Sequence, residues 1–158
     1  MAKESPNLLL FILSLLLAFA LAVVPLPDYM IYWRPEWISL VTFYWVLRYP
    51  HSIGIFVSWI IGLFWDALLG STLGVHAMAL GLQAYLILSM LRRIYMFPLL
   101  QQAYVVFIIV GIVLMLYRWV NGFVGTPASN MAYLIPAITS AITWPILSLV
   151  LRKIEGDF

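Results

Sequence analysis

The stretch GLFWDALLGSTLGVH, residues 62–76, sets a carboxylate, Asp66, and an imidazole, His76, in a run otherwise suited to lipid or to helix packing. A carboxylate in that setting has two uses. It can bind an ion, a proton or a ligand, or it can accept hydrogen bonds from the turn GSTLG that follows, where Ser71 or Thr72 would also cap the next helix. The first use needs partners, and the intramembrane candidates are His76, Arg118, Gln83 and the polar ends at Asn121 and Asn130. Arg118 is expected near the same membrane face as Asp66, so an ion pair between them is geometrically open. No second buried carboxylate is expected, which leaves a proton-relay pair without its other half.

Other chemistries find less support. Zinc takes three or four ligands, and His51 is expected on the face opposite His76, so no metal site is expected. The sequence has no GxSxG elbow and no glycine-rich phosphate loop, and neither histidine has a carboxylate at a spacing that suggests a triad. Cysteine is absent, which removes disulfides and thiol catalysis together. The expectation is a protein that is not an enzyme and that uses no cofactor.

The elements that position these residues follow from composition. Of 158 residues, 65% are apolar and 9% charged, against about 25% charged in an average soluble domain. A water-soluble core of this size cannot hide so much apolar surface, so the surrounding solvent is a bilayer. A net charge of +2 is too small to argue for nucleic acid. Without a repeat, a linker or a low-complexity tail, the chain reads as one domain, 1–158.

Six apolar stretches, about 8–24, 35–49, 53–69, 74–91, 99–120 and 131–151, predict an all-α membrane protein with six transmembrane helices in one bundle. The second stretch is the thinnest, roughly 22 Å long at 1.5 Å per residue, with Pro35 at its first helical position. It follows PDYMIYWRPEW, whose mixture of Asp28, Arg34, Glu36, Tyr and Trp suits a headgroup region. If every stretch crosses, Lys3, Arg48, Arg92, Arg93, Arg152 and Lys153 fall on the cytoplasmic side, leaving Arg34 and Arg118 opposite. Both termini are then cytoplasmic. Small residues at 18–22 resemble a signal-peptidase site, but the segment is taken as the first helix.

Read at intervals of four, the third stretch gives Gly54, Ser58, Gly62, Asp66 and Gly70, continued by Gly74. Small residues at this spacing let two membrane helices bring their backbones close, so the stripe should face protein and carry Asp66 inward. Trp37, Trp65 and the other aromatics suit interface anchoring or packing, with a ligand cavity as the alternative. Pro136 and Pro145 are expected to bend the last helix.

Taken in order, PLPD (25–28), RPEW (34–37), YW (44–45), PH (50–51), WDALLGSTLGVHA (65–77), QAYL (83–86), QQA (101–103) and WP (144–145) resemble the MreD family of bacterial rod shape-determining membrane proteins. Asp66, Gly70, Ser71 and Gly74 match the family's D-x-x-x-G-[ST]-x-x-G pattern, and Arg34 and Pro35 open its RPEW element. The resemblance covers nearly the whole chain and offers no counterpart for Arg118 or His76. It implies a component of the inner membrane acting with MreC, MreB, the glycosyltransferase RodA and its partner transpeptidase. It also implies a fold similar to the substrate-binding subunits of energy-coupling-factor transporters. The function expected is a scaffold that binds MreC and supports cell shape and lateral peptidoglycan synthesis. The alternative is a small-molecule or lipid binding or transport subunit with a pocket near Asp66.

Overall fold

A computed structural model describes residues 7–25, 27, 33–70, 74–124 and 134–155. Expectations that fell on Lys3, Asp28, Ser71, Thr72, Asn130 and the Asn121 side chain lie outside the described residues. Those described form seven helices and no strand: α1 (Leu8–Val23), α2 (Trp37–Arg48), α3 (Ile55–Leu69), α4 (Val75–Ser89), α5 (Leu91–Met96), α6 (Leu99–Val124) and α7 (Ile135–Glu155). Each of the six apolar stretches holds one long element. The short α5 was not among them, because six residues carry too little periodicity to stand out.

By length and composition, α6 over Leu99–Val120 and α7 over Ile135–Ile154 are able to cross a membrane. The apolar helices α1, α3 and α4 are shorter, and α2, with 12 residues, is roughly 18 Å long. Pro35 precedes α2 rather than opening it. Glu36 is the N-cap, and the Pro35 carbonyl accepts the Trp37 N–H at 3.0 Å.

Thin as it is, α2 is the most enclosed helix of the bundle: every residue from Ile38 to Leu47 is buried. A helix apolar on all sides is stable only when neighbours surround it, and α1, α4 and α7 all pack on α2. Aromatic side chains make the joints. Trp45 meets Phe11 of α1 edge-on with ring centres 5.4 Å apart, and its Nε1 donates to Ser14 Oγ at 2.9 Å. Phe43 meets Trp144 of α7 at 4.9 Å. Below them, Gln102 of α6 donates to the Ile94 carbonyl of α5 at 3.1 Å and accepts from Trp144 Nε1 at 3.2 Å.

The closest helix pair is α3 with α4. A Cβ on Gly62 would lie 2.4 Å from the Ala77 Cα and 2.5 Å from the His76 carbonyl oxygen, so here the two backbones touch. Ser58, Gly62 and Asp66 all lie on the buried face of α3. Gly54, Gly70 and Gly74 stand outside the helix proper and do other work. Gly70 ends α3 in the left-handed region at φ +66, with its N–H turned back to Ala67 and Asp66, and Gly74 opens α4 at φ +100. Neither would meet an obstacle to a Cβ, so conformation and not space favours glycine there.

Pro136 falls in the first turn of α7, where a missing N–H costs nothing, and Pro145 alone is interior. On the outside, Leu9, Leu13, Leu16 and Leu17 of α1 and Phe56, Ile60 and Phe64 of α3 are exposed.

Candidate functional site

A helix beginning with glycine has no side chain to satisfy its first amide groups, and Gly74 is such a start. The acceptor comes from the preceding helix. Asp66, in the last turn of α3 and fully buried, accepts the Gly74 N–H at 2.9 Å, the His76 N–H at 3.1 Å and the Ala77 N–H at 3.4 Å. Its charge also lies at the positive end of the α4 dipole, where an anion is favoured. The carboxylate thus does for α4 what an N-cap side chain does, from eight to eleven positions upstream.

The same carboxylate engages the His76 ring. Nδ1 lies 2.5 Å from Asp66 Oδ1, and because a carboxylate only accepts, Nδ1 carries the proton in this contact, leaving Nε2 as an acceptor whenever the ring is neutral. The ring is packed against Tyr117 of α6, with centres 4.3 Å apart, and edge-on to Trp65 at 6.2 Å. His76 is thus one partner of Asp66, and Arg118 is half-buried one residue along α6 from Tyr117. The chain spacing of ten residues does not suggest this pair, since it spans a turn between two helices.

A cavity of about 220 Å³ opens beside this pair, lined chiefly by Arg34, Glu36, Trp37, Trp65, His76 and Tyr117. Arg34 donates from Nη1 to the Ala22 carbonyl and from Nη2 to the Val24 carbonyl, closing the C-terminal end of α1 with a cation. Pro35 stiffens the link to α2 and lines the cavity as well. The Glu36 backbone N–H donates to Ser140 Oγ of α7 at 2.9 Å, which ties the start of α2 to that helix. Glu36 is a second carboxylate at this end of the bundle, half-buried, in the segment whose charged and aromatic mixture suits a headgroup region.

Of the predicted positions, the structure brings Asp66, Gly74, Arg34 and Pro35 to this end of the molecule, with Gly70 closing the adjacent turn. Ser58 and Gly62 lie further along the α3–α4 contact, and Gly54 is at its far end, 3.5 Å by a built Cβ from the Pro50 carbonyl. Ser71 lies outside the described residues. Tyr117 carried no signal of its own, being one aromatic in a long apolar helix. His51 is exposed in the turn between α2 and α3, at the other end of α3. Among the described residues no three His, Asp or Glu side chains gather as a metal would require. The described lining offers carboxyl, imidazole, guanidinium and aromatic groups around a small space, a set able to fasten helices or to bind a ligand.

Comparison with known proteins gives a consistent result. Residues 3–154 match the family described as rod shape-determining protein MreD. A rod shape-determining protein MreD of Haemophilus influenzae is 34% identical over 139 residues, which cover 88% of this chain and 86% of that protein. No solved structure matches the chain. The family description names a role in cell shape and no reaction, and membrane residence accords with it and with the two long apolar helices. With the match running through every helix described above, the chain belongs to the MreD family of rod shape-determining proteins.

Proposed function

We propose that this chain is a non-enzymatic scaffold of the bacterial elongation machinery, a multi-pass protein of the inner membrane that holds MreC in position. RodA, its partner transpeptidase and MreB belong to the same assembly in this reading, and lateral peptidoglycan synthesis is what the assembly supports. The observation that carries it is the use to which the polar groups are put. Asp66 fastens α3 to α4, Arg34 fastens α1 to the start of α2, and the Glu36 N–H fastens α2 to α7. These bonds stiffen one end of the bundle, while the outward faces of α1 and α3 stay apolar and exposed for lipid or a partner helix.

Six crossings with both termini cytoplasmic complete the reading. What supports this topology is that Tyr95 of α5 donates its hydroxyl to the Leu47 carbonyl, which sets Arg48, Arg92 and Arg93 at one end of the molecule. Tags inserted at residues 49–52 should be reached only from the cytoplasmic side.

Because the chain has no cysteine, single cysteines at exposed positions of α1 and α3, such as Leu13→Cys and Phe64→Cys, give a clean cross-linking map with MreC. Cross-links confined to one such face are expected. A map in which no outward position of any helix captures MreC, in membranes where both proteins are present, removes the scaffold reading.

A further inference from the structure

The cavity beside His76 holds one carboxylate that the fastening roles leave unexplained. Asp66 has its oxygens engaged by α4, and both terminal nitrogens of Arg34 are donated to carbonyls at the end of α1. Glu36 differs. Its N–H is bonded to Ser140, but its carboxylate accepts no hydrogen bond from the described residues, although it lines the cavity within electrostatic reach of Arg34.

The His76 ring adds an acceptor. With Nδ1 donating to Asp66, the free nitrogen of His76 is Nε2, which can only accept when the ring is neutral. Around these acceptors stand three aromatic rings, Trp37, Trp65 and Tyr117. A cation finds a carboxylate counter-charge, an imidazole acceptor and π-faces, the combination by which protonated amines are held out of water.

We propose that this cavity is a binding site for a small organic cation, a protonated amine, with Glu36 as its counter-ion and the rings of Trp37, Trp65 and Tyr117 as its walls. The volume of about 220 Å³ suits a headgroup-sized ligand, being the space of roughly seven waters at about 30 Å³ each. Two sources present this chemistry: the ethanolamine headgroup of an aminophospholipid, entering from the membrane, and a free amine from the aqueous side. The inference is separate from the scaffold reading, since the chain is tested alone.

The test uses the full chain in phosphatidylglycerol nanodiscs, to which phosphatidylethanolamine is added in one arm and ethanolamine hydrochloride in the other. Hydrogen exchange across residues 33–40 and thermal unfolding are followed in both. Slower exchange and a higher midpoint with phosphatidylethanolamine alone identify the headgroup as source. The same response to millimolar ethanolamine identifies a free amine. Glu36→Gln, which keeps the shape and removes the charge, should weaken the half-maximal response at least ten-fold, and Trp37→Leu should weaken it several-fold. If neither amine slows exchange in the unsubstituted chain, the proposal is overturned whatever the variants do. It is overturned equally if the response persists undiminished in a folded Glu36→Gln protein.

Discussion

His76 Nδ1 lies 2.5 Å from Asp66 Oδ1, and the same carboxylate accepts the His76 backbone N–H, so one residue of α4 is held twice by one residue of α3. Left-handed glycines end α3 at Gly70 and open α4 at Gly74.

Removing the Asp66 carboxylate should loosen the hairpin. Asp66→Ala leaves buried amides of the α4 first turn without their acceptor, at a cost of about 1–3 kcal/mol, and Asp66→Asn, which keeps one oxygen, should lose less. Thermal unfolding in detergent gives the comparison. In a double-mutant cycle with His76→Phe, a coupling of about 0.5–3 kcal/mol is expected for groups in contact. Strict additivity would show that the ring and the carboxylate act separately.

Gly62 and Gly54 separate close approach from mere helical spacing. Gly62→Ala drives a methyl group to 2.4 Å from the Ala77 Cα, and forcing the helices apart should cost about 1–3 kcal/mol. Gly54→Ala meets its nearest neighbour at an ordinary 3.5 Å and should change stability by less than about 0.5 kcal/mol. Equal effects at both positions would mean that the contact between α3 and α4 is not where the structure has it.

At Gly70 and Gly74 the penalty is conformational. With φ at +66 and +100, alanine should cost about 1 kcal/mol at either position. Asparagine at Gly70 should recover part of that loss, since it tolerates the left-handed region better than other side chains. The check is the ranking Gly, then Asn, then Ala in unfolding midpoint. A more stable Gly70→Ala protein would contradict the turn described.

Arg34 closes α1 with two separate donors, so its shape matters as well as its charge. Arg34→Lys keeps the charge but offers a single ammonium to carbonyls of Ala22 and Val24. Amide exchange in the last turn of α1 should rise with Arg34→Lys and rise further with Arg34→Ala. Unchanged exchange in both would show that the end of α1 is held by something else.

Several features are readable along the chain because they depend on near neighbours. Four-residue spacing places Ser58, Gly62 and Asp66 on one side of a helix whatever surrounds it, and that side is the buried one. Helix ends are equally local: Gly70 stops α3 as a glycine at that position commonly does. Length and hydropathy mark out the long helices for the same reason.

What only the tertiary structure decided concerns which surfaces meet. The run WISLVTFYWVLR is apolar on every side, and such a pattern does not distinguish lipid from protein as its surroundings, so the central position of α2 could not be read from it. Nor could the contact of Asp66 with His76 be singled out from its several candidate partners, or the meeting of Glu36, Arg34 and Tyr117 around one cavity be read, residues drawn from four separate helices or their ends. The physical reason is one of range. Residue types and their periodicity set each helix and its faces, but the angle and depth at which helices cross determine which side chains come within bonding distance. That geometry is settled by packing between segments far apart in the chain.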